Sequence, residues 1–155
     1  MGKIMSDLEV FKSEFRVYYK DTDVGGRVYH ANYLKFCERT RTDFVREVLG
    51  YKQSEHLQED KKGFVVSSLK ARFLAGAKLE DELIVTCIPV SLRKASLEMY
   101  QEVIDKHSQK VLFAMQSTIA YVNFATDRPE VIPEEFAKAL QAKMPTQDFK
   151  SVKLP

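Results

Sequence analysis

The sequence predicts an α+β fold in which an antiparallel sheet wraps around one long central helix. Two observations carry this. Between about Ala31 and Leu49, apolar or small residues recur at helical offsets, whereas across the second half of the chain the period falls to two. The breaks between the period-two segments are short enough that consecutive strands must run antiparallel.

Taken in order, Phe15 to Tyr19 is rich in β-formers and reads as a short strand. It runs into Asp21 to Gly26, a glycine-containing stretch that cannot be regular structure. In the helical segment, Tyr33, Phe36, Cys37, Thr40, Phe44, Val45 and Val48 share one side. Lys35, Glu38, Arg39, Arg46 and Glu47 take the other. Gly50 stands where a left-handed C-terminal cap is expected, and Tyr51 to Lys62 is polar enough for a short second helix and a loop.

Three period-two sets follow. Val65, Leu69, Ala71 and Phe73 share one parity; so do Leu97, Met99 and Val103, and again Val111, Phe113, Met115, Ile119 and Tyr121. Breaks at Ala75 to Asp81, Ser91 to Lys94 and Asp105 to Lys110 imply a meander of long strands. Phe64 and Ile84 fall on the outer parity, where a partner would have to cover them. Asp127 to Pro133 ends the last strand, Glu134 to Lys143 reads as a terminal helix with Phe136, Ala139 and Leu140 inward, and the polar end is expected to be loose. The organisation is therefore an N-terminal extension over 1–14, one domain over 15–143 and a tail over 144–155.

A chain of 155 residues with 45% hydrophobic content suffices for one well-buried core. Its 24 basic and 22 acidic residues are interspersed, which argues against a nucleic-acid-binding stripe. No apolar run approaches the roughly 20 residues of a membrane span, so no stable membrane insertion is expected. Cys37 and Cys87 form no Cys-x-x-Cys pair, and no secretory segment is visible near Met1, so a reducing cytoplasm is the expected location. Met1 to Ser6 matches the permissive N-myristoylation pattern, with glycine second and serine sixth, although Met5 could equally be an internal start.

Polar and special residues concentrate in Tyr18 to Asn32, between a strand and the start of the long helix. A helix start offers unpartnered N–H groups and a partial positive charge, suited to an anion or a developing oxyanion. Gly25 and Gly26 let the backbone turn back, so that Asp23 and the amides near His30 can converge on one substrate atom. Read locally, Asp21, Thr22, Asp23 and the glycines also suit a purely structural turn and cap. His30 lies seven residues from Cys37, which without further ligands makes no metal site.

The stretch Tyr19 to Arg41 resembles the 4-hydroxybenzoyl-CoA thioesterase family, most of all its Tol-Pal-associated branch of small acyl-CoA thioesterases. The residues that carry the resemblance are Asp21-Thr22-Asp23, Gly26, Val28 and the run Tyr29 to Phe36. It continues more weakly through Phe64-Val65-Val66, Leu79 to Leu83, Arg93 to Leu97, and Asp127 to Glu135. The resemblance implies a hotdog fold and hydrolysis of an acyl-CoA thioester to free acid and CoA. Asp23 would be the catalytic carboxylate, as nucleophile or as general base for a water. A backbone N–H near His30 would stabilise the oxyanion, and the side chains of His30 and Tyr19 would orient water, acyl group or Asp23. Asp21 reads as a structural residue of the same turn.

Gly25 and Gly26 would admit the substrate, Ser67 and Ser68 would line the pantetheine channel, and Arg93 and Lys94 would meet the CoA phosphates. Thioester hydrolysis calls for no metal or cofactor, coenzyme A being part of the substrate. The implied partners are acyl-CoA or an acyl carrier protein, and a second copy of the chain in a homodimer or homotetramer whose sites form between subunits. Three departures bear on CoA contacts and acyl preference more than on the reaction: Gly76 in place of a usual proline, Ser67 in place of a basic residue, and Asn123-Phe124 in place of an acidic-apolar pair. Two alternatives differ in chemistry. A hotdog dehydratase or hydratase would use a histidine with an acid from the neighbouring subunit, and a non-catalytic module would only bind acyl carriers.

Overall fold

A computed structural model describes Met5, residues 9–145 and residues 151–154. The N-myristoylation pattern, apart from Met5, lies outside the described residues. The elements are β1 (Phe11–Arg16), a 3₁₀ turn (Tyr19–Asp21), α1 (His30–Leu49), α2 (Gln53–Glu59), β2 (Lys62–Phe73), β3 (Glu82–Leu92), β4 (Ser96–Asp105), β5 (Val111–Asn123), the two-residue β6 (Arg128–Pro129) and α3 (Glu134–Gln141).

The first strand occupies Phe11–Arg16 rather than Phe15 to Tyr19, so it begins inside the stretch read as an extension. The reason is its partner. Phe11 to Arg16 pairs with Cys87 back to Glu82 on β3, and beyond Arg16 the chain must leave the sheet to build the turn at Tyr19–Asp21.

The sheet order is β1-β3-β4-β5-β2, with β6 on β5, and every pairing is antiparallel. The expected meander therefore holds for β3, β4 and β5, while β2 crosses to the far edge beside β5. Helix α1 lies across the inner face. Tyr33, Phe36 and Cys37 are buried there with Leu83, Val85, Val103, Phe113 and Met115, and Phe44 and Val45 with Cys87, Leu97, Met99 and Ile119. Each such large apolar side chain contributes about 1.5–3 kcal/mol by leaving water. Gly50 ends α1 at φ 66°, its N–H donating to Val45 O, which is the left-handed cap read from the sequence.

Two parity assignments on β2 are overturned. The pairing with β5 shifts between Val66 and Ser68, so Ser67 is an extra residue and the side chains on either side of it exchange faces. Phe64, opposite Tyr121, therefore points inward and packs on Tyr51 and Tyr121, while Val65, opposite Ala120, takes the outer side. The Tyr51 to Lys62 segment is likewise less polar in effect than its composition. Tyr51 is fully buried, stacked on His56, with its hydroxyl donating to Lys62 O at 3.2 Å.

The chain end is also not loose over its described part. Val152 and Leu154 pack with Met5 on the outer face of the sheet against Ile84, Ile88, Tyr100, Ile104 and Ala114. Ile84 thus lies on the outer parity as expected, but the chain's own terminal segments cover it.

Candidate active site

Residues 22–28 form a small hairpin at the foot of α1. Thr22 bridges Val28, Asp23 N–H donates to Arg27 O at 2.8 Å, and Tyr29 N–H donates to Asp21 O at 3.1 Å. Gly26, at φ 76°, supplies the left-handed residue that the reversal needs. The loop between β2 and β3 grips this hairpin from the other side: Val28 N–H donates to Ala77 O and Leu79 N–H to Gly26 O, both at 2.9 Å, and Arg27 bridges Lys78. Tyr33, on the first turns of α1, closes the arrangement by accepting the Ala77 N–H at its hydroxyl, 2.9 Å away.

Asp21 and Asp23, two residues apart, serve opposite ends. Asp21 is buried; its carboxylate accepts from Tyr18 N–H at 2.9 Å and from Lys20 Nζ at 2.8 Å, and its carbonyl accepts from Asn32 Nδ2 at 2.8 Å. It is a structural tie. Asp23 is exposed, with Oδ1 accepting from Gly25 N–H at 2.9 Å and Arg27 N–H at 3.3 Å. Among the described residues its Oδ2 has no hydrogen-bond partner. One oxygen fixes the carboxylate's orientation and the other faces outward.

Helix α1 begins at His30 with no side-chain cap from Tyr29 and no acidic residue in its first turn. Its positive end is therefore left to whatever approaches it. The hydrogen bonds that tie Tyr29 to Asp21, and Asp23 to Arg27, hold this helix start beside the Asp23 turn. The His30 ring is exposed and meets Phe73, at the end of β2, edge-on with centroids 5.2 Å apart, while Tyr19 is 81% exposed on the 3₁₀ turn.

Ser67 and Ser68 sit exposed at the β2 bulge on the free edge, Ser67 Oγ donating to Thr118 O at 3.2 Å. Arg93 and Lys94 are exposed on the β3–β4 turn. An 11-residue strand separates that turn from the Asp81–Glu82 end that abuts the Asp23 region. At about 3.3 Å per residue these cations lie far from the same chain's Asp23. Neither cysteine is a rival nucleophile: both are buried, and desolvation pushes the Cys37 thiol up to about 12 and the Cys87 thiol higher still. No group of three or more potential metal ligands occurs among the described residues.

Composition had given no sign of a cavity of about 80 Å³ between α1 and the sheet, lined by Val45, Phe64, Val66, Met99 and Ile119 with Arg41 and Glu38 at its polar side. It exists because the β2 bulge turns Phe64 and Val66 inward. A strictly alternating strand would have aimed them away.

A curled antiparallel sheet around one long helix is the architecture of the hotdog thioesterases. The chain belongs to this class: residues 17–140 match the Thioesterase-like superfamily. Over 134 residues it is 36% identical to the acyl-CoA thioesterase YbgC of Helicobacter pylori, covering 82% of this chain and 97% of that one. Over 131 residues it is 35% identical to the acyl-CoA thioesterase YbgC of Haemophilus influenzae, covering 83% and 93%. These relatives represent the Tol-Pal-associated branch. Among solved structures, the 1,4-dihydroxy-2-naphthoyl-CoA thioesterase Slr0204 of Synechocystis superimposes with a TM-score of 0.79 over 85% of this chain and 96% of that one, at 18% identity. The chain is accordingly a thioester hydrolase of the acyl-CoA class.

Proposed function

We propose that this chain hydrolyses an acyl-CoA thioester with Asp23 as its catalytic carboxylate. The observation that carries the reading is the asymmetric anchoring of Asp23: Oδ1 held by two backbone amides and Oδ2 open, beside the uncapped start of α1. The open oxygen can take a proton from a water whose oxygen attacks the thioester carbonyl. Alternatively it attacks the carbonyl itself, giving an acyl-aspartyl anhydride that water then opens. In both routes the carbonyl oxygen gains charge in the transition state. N–H groups at the start of α1, around His30, stabilise that charge, a role worth about 3 kcal/mol. The C–S bond then breaks and CoA departs as the thiolate, so no cofactor is called on.

Gly25 and Gly26 make the turn that presents Asp23, a Cβ on Gly25 coming within 3.4 Å of Oδ1, and His30 and Tyr19, both exposed, orient the water or the acyl group. The site is completed by a second copy. Strand β2 is a 12-residue edge with Val66, Leu69 and Phe73 exposed on it. An antiparallel partner centred on Leu69, with Ser67 left out of register in both copies, sets Phe73 of one copy opposite Phe64 of the other. This brings the His30–Phe73 end of one copy to the cavity of its neighbour, and toward the neighbour's Arg93 and Lys94. Those cations then meet CoA phosphates in trans, with Ser67 and Ser68 along the pantetheine path. An acyl carrier protein can deliver the same pantetheine thioester.

The test is turnover of an acyl-CoA panel read with a thiol-detecting reagent. Thiol release that falls by 10²-fold or more in Asp23→Asn is the expected result. No release from any thioester, or full activity in Asp23→Asn, would overturn the reading. An enoyl product without thiol release would indicate a dehydratase, and binding without either a carrier-recognition module.

A further inference from the structure

The hairpin that carries Asp23 rests on a loop, and the loop is held to α1 by one side-chain atom. Val28 N–H donates to Ala77 O and Leu79 N–H to Gly26 O, both at 2.9 Å, so residues 77–79 back the returning strand of the hairpin. Glu80 N–H donates to Val17 O and Val17 N–H to Asp81 O, also at 2.9 Å, which ties the far end of the loop to the chain leaving β1. Toward α1 the loop makes a single hydrogen bond among the described residues: Ala77 N–H donates to the Tyr33 hydroxyl at 2.9 Å. Both partners are enclosed, Ala77 at 0% and Tyr33 at 3% exposure, so solvent has little access to either. The ring is fixed independently of its hydroxyl, stacked on Phe113 with centroids 5.2 Å apart and edge-on to Phe73 at 5.9 Å. Burial pushes the Tyr33 phenol up, so the hydroxyl stays protonated and meets the amide as a neutral acceptor.

We propose that Tyr33 is a positioning residue for the hydrolysis: through Ala77 and Val28, its hydroxyl sets where the Asp23 carboxylate stands relative to the N–H groups at the start of α1. The proposal rests on the catalytic reading of Asp23. In that reading the two groups that must converge on one carbonyl belong to different supports. The oxyanion donors move with α1, and Asp23 moves with the hairpin. The entering strand of the hairpin is tied to the helix by Asn32, whose Nδ2 donates to Asp21 O at 2.8 Å. Beyond the chain connection through Tyr29, the returning strand reaches α1 by way of the loop, and so by way of Tyr33. Removing the hydroxyl leaves the Ala77 N–H buried without an acceptor, a costly state that the loop relieves by shifting toward water. The Ala77–Val28 bond passes that shift to the hairpin, and the Arg27 N–H passes it to Asp23 Oδ1. A misplacement of about 1 Å between reacting groups costs on the order of 100-fold in rate.

The test compares two deletions of a buried hydroxyl in the full chain, Tyr33→Phe and Tyr51→Phe. Tyr51 is fully buried beyond the other end of α1, where its hydroxyl donates to Lys62 O at 3.2 Å. On an acyl-CoA that the wild type hydrolyses, Tyr33→Phe should lower kcat by about 10- to 100-fold with KM within about twofold. Tyr51→Phe, even at an equal fall in melting temperature, should keep kcat within about twofold. Hydrogen exchange at the Val28 and Leu79 amides should quicken in Tyr33→Phe and stay at the wild-type rate in Tyr51→Phe. In an Asp23→Asn background Tyr33→Phe should cost no further rate, because the group that it positions is already gone. Equal losses of kcat in the two single variants, an effect confined to KM, unchanged exchange at Val28 and Leu79, or additive losses with Asp23→Asn would overturn the proposal. Full activity in Asp23→Asn would remove the catalytic reading, and this proposal with it, before Tyr33 is touched.

Discussion

Two carboxylates show how position decides role at the scale of single residues. Asp21 and Asp23 occupy one turn, yet Asp21 spends both oxygens on the turn's own donors, while Asp23 leaves Oδ2 open. The motif around Asp23 was legible in the sequence because it is contiguous, and local hydrogen bonding fixes a contiguous turn. Glu102, 2% exposed on β4, was not legible, since nothing local distinguishes a glutamate on the buried face of a strand from one on a wet face. Its burial comes from Tyr100, whose hydroxyl donates to its carboxyl, Thr86 and segments distant in sequence. Desolvation raises the Glu102 carboxyl above its ordinary value, with the Tyr100 hydrogen bond opposing. The folded chain therefore holds this proton at pH values where the unfolded chain has released it. Stability from this group is intact below the ordinary carboxyl range of about 4.3 and declines as pH rises from there through the elevated folded value. Arg72 on β2 shares its cross-strand row through Ala114. Glu102→Gln should flatten that decline, so that thermal melts show variant and wild type converging near pH 4 and the variant melting higher at pH 8. Parallel melting curves across this range would refute the assignment.

Among elements, α1 and the strands β4 and β5 were readable because hydrophobic period maps directly onto a buried face. Strand β2 defeated the same reasoning. A single extra residue at Ser67 exchanges faces along half the strand, and period-two analysis of Val65, Leu69, Ala71 and Phe73 has no means of registering the insertion. The consequence reaches the cavity under α1, which inward Phe64 and Val66 wall. The end of α1 was legible for the opposite reason: a glycine at φ 66° is a local requirement with a local signature. Gly50→Ala meets no neighbouring atom within 4 Å, so its cost is backbone strain rather than collision. About 1 kcal/mol is the typical scale of that penalty. Chemical denaturation should show a midpoint shift of that size with an unchanged m-value; an equally stable variant would show that the left-handed cap is dispensable.

For the whole molecule, assembly and activity should be inseparable. One chain by itself separates Asp23 from Arg93 and Lys94 by the length of β3, and its long edge β2 ends the sheet with apolar side chains exposed. The antiparallel partner proposed along β2 would resolve both features. Sequence reading reached the need for a partner through family resemblance, but not the edge, since which strand ends a sheet depends on a crossover that periodicity does not encode. Leu69, near the centre of β2 and 43% exposed in the single chain, is the position where a charge should do most harm to pairing and least to the fold. In the antiparallel arrangement a Leu69→Asp carboxylate is brought close to its own symmetry mate, so like charges would face each other in a surface that also loses apolar contact. The expected result is a mass that falls to that of one chain by light scattering, with a circular dichroism spectrum like that of the wild type. Acyl-CoA turnover should fall at least 10-fold at the same protein concentration, and raising the concentration should recover it as pairs re-form. A monomeric Leu69→Asp chain with full turnover would mean that each subunit carries a complete site, and would remove the trans role of Arg93 and Lys94 with it.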